Sequence, residues 1–168
     1  MRRAVISSVV LVVAAFVASS GVAGADKSQR GKFETLSAGT AMGLDIEGVA
    51  KIRRTSARTL VKVHVRGLEP GTTYAAHVHA APCGAANPGG GHYKHDPAGP
   101  GQPPNELWLS SERGDPQAGI TANPGGVAHG RASADWVARP EASSVVIHAV
   151  PSGGTTAGGP KIACADLG

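Results

Sequence analysis

Aromatic residues make up only 4% of this 168-residue chain, and charged residues 17%. No polybasic run and no interleaving of aromatic with basic residues occurs, which argues against nucleic acid as a partner. No apolar run is long enough to span a membrane: the longest, Ala4 to Val17, is too short and wrongly flanked. From residue 26 onward no segment carries the helical period of apolar residues, which excludes helix bundles. Cysteine is scarce, with only Cys83 and Cys164, and two separated cysteines make a weak zinc site.

What is present begins with an address. Arg2 and Arg3 precede the apolar run, and Ala23-Gly24-Ala25 supplies small residues for cleavage, so residues 1–25 read as a signal peptide. The arginine pair leaves both the general and the twin-arginine export route open. No cysteine follows the run to mark a lipoprotein. Removing residues 1–25 leaves 143 residues, enough for one domain, and lowers the net charge from +4 to +2. Exported chains meet oxidising conditions, and an even cysteine count there favours a disulfide between Cys83 and Cys164 over two free thiols. A loop of that length contributes roughly 4–5 kcal/mol on the chain-entropy account.

The polar segment 26–32 reads as a flexible tail, and regular structure is expected from Phe33. Ile46–Arg53 and Thr59–Arg66 alternate, with Val61, Val63 and Val65 on one side and Lys62, His64 and Arg66 on the other. Further strands are expected at Thr72–Ala80, Leu107–Ser110, Gly119–Ala122, Gly126–Trp136, Ser144–Val150 and Lys161–Leu167. Turn signals such as Pro70-Gly71 and Asn123-Pro124-Gly125-Gly126 separate them. Short strands at this spacing mean a β-sandwich or barrel. The Gly/Pro-rich stretch from Ala81 to Glu106 has no period, and loops that long inside a domain are usually functional.

The chain holds seven histidines. His77-Val78-His79 lies on an expected strand, so both rings share one face about 6.5–7 Å apart, near enough for a single metal ion. Two polar rings among small and apolar residues need a reason. Val145-Val146-Ile147-His148-Ala149 repeats the anomaly, and His92 follows the flexible Gly89-Gly90-Gly91. Four imidazoles from three regions suit Cu(II), and also zinc or nickel. His64 and His129 read as surface residues, and His95, near Asp96, is open to either reading.

Ala76-His77-Val78-His79 with Cys83 beyond it, Gly90-Gly91-His92-Tyr93, Val145 to Ala149, and Lys161-Ile162-Ala163-Cys164-Ala165-Asp166-Leu167-Gly168 occur in the order seen in copper/zinc superoxide dismutases. Over residues 33–168 the chain resembles that family, and the short His79-to-Cys83 spacing resembles its bacterial secreted branch. The resemblance implies an all-β, Greek-key β-sandwich or flattened barrel of about eight antiparallel strands. It implies copper held by His77, His79, His92 and His148, with His92 matching the histidine that bridges to zinc. It also implies the Cys83–Cys164 disulfide. The implied activity is conversion of superoxide to oxygen and hydrogen peroxide, and a copper donor protein is admitted as a partner.

Three departures shape the expectation. The family arginine beside copper falls at Lys161, which keeps the charge that guides the anion but lacks the planar fork. The zinc ligands lack their family spacing, leaving His95 and Asp115 as candidates, and the segment between His148 and Lys161 holds only 12 residues. These departures point to an open, copper-only site in which His92 binds and releases the metal as its oxidation state changes. A non-catalytic copper-buffering protein is the alternative. The stretch Val61–His79 also resembles chordin-type domains, a reading that leaves His92, His148 and Cys164 without a role.

Overall fold

The computed structural model describes residues 26–149 and 158–168. The expected signal peptide (1–25) and segment 150–157 of the shortened loop lie outside the described residues. Along the chain run β1 (Lys27–Thr35), α1 (Ser37–Ala41), β2 (Glu47–Arg54), β3 (Thr59–Arg66), β4 (Thr73–His79), β5 (Ile120–Thr121), β6 (Ala128–Ala134), β7 (Ser144–His148) and β8 (Lys161–Asp166). All neighbours pair antiparallel, in the order β5-β4-β7-β8-β1-β2-β3-β6. The terminal members β5 and β6 come back beside each other, so the sheet nearly closes into a Greek-key barrel. No helix among the described residues is long and apolar enough to cross a membrane.

The two halves of the barrel bury their strands differently, and that difference positions the histidines. In β3, alternate residues Val61, Val63 and Val65 are buried while Lys62, His64 and Arg66 face out. β4 and β7 are instead buried almost throughout. Their Ala76, Val78, Val145 and Ile147 enter the apolar core, where each large aliphatic side chain contributes roughly 1.5–3 kcal/mol. Their opposite side carries His77, His79 and His148 and is covered by the long loop. Residues 107–109 run along β4 through Val78 N–H to Leu107 O (3.0 Å) and Leu109 N–H to Ala76 O (2.8 Å).

Three local expectations are corrected. Residues 27–32 are not a tail: they form the first part of β1, paired with β2 from Lys27↔Arg54 to Lys32↔Val49. From Phe33 the same strand pairs with β8 instead, and the change of partner needs Gly31, where an added Cβ would stand 1.7 Å from Asp166 O. Polar side chains hid this strand because its outward face meets solvent. One turn of helix, α1, follows where no helix was expected. Leu107–Ser110 forms isolated bridges, His77↔Trp108 and Ser110↔Arg131, and no continuous strand.

The outward face of the β1-β2-β3-β6 half carries an unusual register. Arg30↔Lys51, Lys51↔Lys62 and Lys62↔Arg131 are directly opposite, so four exposed cations stand in one transverse row. None of the four forms an ion pair with a described residue.

Candidate metal centre

Period two on β4 places His77 and His79 on one side, their ring centroids 6.3 Å apart. Antiparallel pairing sets His148 of β7 opposite Ala75 and His79 opposite Ser144. The loop returns His92 across His79 in an isolated bridge. One ring nitrogen from each of these four histidines lies within 4.8 Å of the others, in a group able to hold a metal ion. His77 and His79 are 1% exposed and His148 3%, whereas the His92 side chain is 23% exposed and forms the rim.

The hydrogen bonds fix which nitrogens face inward. His79 Nδ1 lies 3.1 Å from Gly90 O and His148 Nδ1 lies 3.2 Å from Gly159 O. Carbonyl oxygens only accept, so both Nδ1 atoms carry the proton. Neutral rings then present bare Nε2 lone pairs to each other at 3.2 Å. A proton between them is disfavoured. Burial holds His79 down at about 3, helped by His92 and His148, and holds His148 down at about 4. Two bare imidazole nitrogens that resist protonation yet face each other fit a metal cation, and imidazole donors suit copper or zinc.

His92 is oriented by a buried acid. Glu106, 4% exposed, accepts at one oxygen from His92 Nδ1 (2.8 Å) and Trp108 Nε1 (2.6 Å). That leaves His92 Nε2 for the cluster, and the Trp108 ring packs against His77 at 4.9 Å. Sequence reasoning missed Glu106 and Trp108. The available signal was a lone carboxylate bordering the apolar run Leu107-Trp108-Leu109, a place where an unpaired acid is costly.

The surrounding loop is tied down on several sides. The Cys83–Cys164 disulfide joins it to β8, with Cα atoms 5.7 Å apart. Ser144 Oγ donates to Ala81 O (2.7 Å), and Asp166 accepts from Cys83 N–H (2.7 Å). Arg139 donates to the carbonyls of His95 and Lys94 and lies over the Tyr93 ring. Gly89, at φ +73°, turns the chain against Val146, where an added Cβ would stand 2.5 Å from Val146 Cγ2.

Lys161 sits beside the centre but is occupied. Its ammonium donates to Asn87 Oδ1 (2.8 Å), Pro88 O (2.8 Å) and Gly90 O (2.6 Å), and partial burial lowers its pKa. The zinc candidates stand apart from the four-histidine group. His95 stacks on Trp136 at 4.3 Å, and Asp115 accepts from Gln117 N–H. His64 and His129 lie on the outer face of β3 and β6.

The described residues thus define an all-β barrel with a buried four-histidine centre suited to a metal ion. No protein-family model matches the chain, and no curated protein matches it. Among solved structures, it is similar to a Cu/Zn superoxide dismutase from Brucella abortus, at 21% identity and a TM-score of 0.49, covering 84% of this chain and 100% of that one. The site is assigned from this chain's own residues.

Proposed function

We propose that this chain is an extracytoplasmic copper protein that converts superoxide to oxygen and hydrogen peroxide. The observation that carries the proposal is the set of ring nitrogens from His77, His79, His92 and His148, two of them bare and face to face. The ordered motifs that contain these residues support copper over other imidazole-loving metals. Copper, when bound, supplies a one-electron couple that superoxide reduces and then reoxidises.

The protein's own residues prepare that chemistry. The carbonyls of Gly90 and Gly159 hold His79 and His148 with Nε2 inward. Glu106, beside the exposed rim, holds His92 likewise by accepting a hydrogen bond from its Nδ1. Lys161 supplies positive potential that favours approach of an anion.

Superoxide consumption by copper-loaded and metal-free protein, measured alongside metal content, tests the proposal. A rate well above the metal-free protein is expected; equal rates would leave only copper storage. The storage reading has one observation of its own: the Lys161 ammonium already serves three loop oxygens, so little of it remains to orient a substrate. Lys161→Arg, with two further donors, should therefore raise turnover in an enzyme. No change would remove Lys161 from substrate guidance.

A further inference from the structure

His64 and His129 are directly opposite each other on β3 and β6, both exposed on the outer face of the barrel half that does not carry the four-histidine centre. Their rings meet at a tilt of 46°: His64 Nδ1 is 3.2 Å from His129 Nδ1 and 3.3 Å from His129 Nε2, with centroids 4.4 Å apart. For imidazole nitrogens bonded at about 2.0–2.1 Å to one ion, two donors at right angles stand about 2.9 Å apart and two at the tetrahedral angle about 3.4 Å. The observed separations fall inside that window. We infer that His64 and His129 form a second metal site, an open cross-strand chelate for a divalent transition metal.

The chemistry of the pair selects the ligand class. Two imidazoles favour Cu(II), Ni(II) or Zn(II) over calcium or magnesium, which take oxygen ligands. The carboxylate that shares a shallow recess with His64, Glu47, is paired with Arg66 through one of its oxygens. Water completes the coordination sphere, and the site exchanges its ion readily. Strand pairing preorganises the two rings: their separation is set by the β3–β6 register and needs no loop to close. The site is independent of the buried centre, to which neither histidine contributes.

Retention of the untagged protein on immobilised Ni(II) resin tests the inference, because the buried centre cannot face a resin-bound ion. The wild-type protein and His148→Gln should be retained, while His64→Gln and His129→Gln should each elute with the unbound fraction. Both positions are exposed, so loss of the fold does not confuse the result. A Cu(II) titration followed by electron paramagnetic resonance should show a second, distinct copper signal in the wild type that either surface variant removes. Retention of the surface variants equal to wild type, or survival of the second signal in them, would overturn the site and leave a hydrogen-bonded imidazole pair. Neither outcome touches the buried copper proposal.

Discussion

One oxygen of Glu106 receives both the His92 imidazole and the Trp108 indole. Glu106→Gln keeps an acceptor of the same shape and removes the charge that strengthens the bond to His92. Copper affinity should fall roughly 10–100-fold while the fold stays intact, as a competition titration against a chelator and a circular dichroism spectrum would check. Unchanged affinity would mean that His92 is oriented without its acid. The same residues mark where reading the chain ran out. His77, His79 and His148 were legible because polar rings interrupt β-branched or small-residue runs. Glu106 was not, because its partner lies 14 residues away across a segment with no period. The facing of His64 and His129 was equally hidden, since it depends on the register of strands separated by 65 residues.

Among the elements, the row Arg30, Lys51, Lys62 and Arg131 runs against ordinary sheet design, since like charges directly opposite destabilise by roughly 0.2–1 kcal/mol per pair. Lys62→Glu places an acid between two cations and should raise the melting temperature at low salt, with the gain shrinking as added salt screens the row. A lower melting temperature would show that the cations do not repel. β3 was legible from its alternation, and the β4 and β7 runs from their apolar content. β1 was misread because its six residues facing β2 offer almost no apolar signal, and its placement rests on backbone pairing and on Gly31. The disulfide belongs to this scale too: it fixes the loop to β8 across 81 residues. Cys83→Ser with Cys164→Ser should cost about 2–5 kcal/mol in denaturant unfolding and leave the long loop less protected from proteolysis. Stability equal to the wild type would mean that the loop's hydrogen bonds suffice.

For the molecule as a whole, the buried rings set a pH dependence. In the unfolded chain imidazoles take up protons near pH ~6.5, whereas His79 and His148 in the fold resist until about 3 and 4. Between those values the unfolded state binds more protons, so the metal-free protein loses stability as pH falls from about 6.5 toward 4, by up to about 1.4 kcal/mol per pH unit for each ring. Melting temperatures of metal-free protein should therefore be lower at pH 5 than at pH 7. A flat profile would mean that the rings are hydrated and not buried.

The carbonyl of Gly90 receives His79 Nδ1 and the Lys161 ammonium at once. It therefore acts as a shared pin between a core strand and the last strand of the barrel. The loop cannot swing away as a rigid flap without unlocking a buried histidine and stranding a lysine in the same movement. Among the described residues, the smallest mover left for traffic through the rim is the partly exposed His92 ring, turning about its own bonds. A gate of that size opens on the timescale of a side chain.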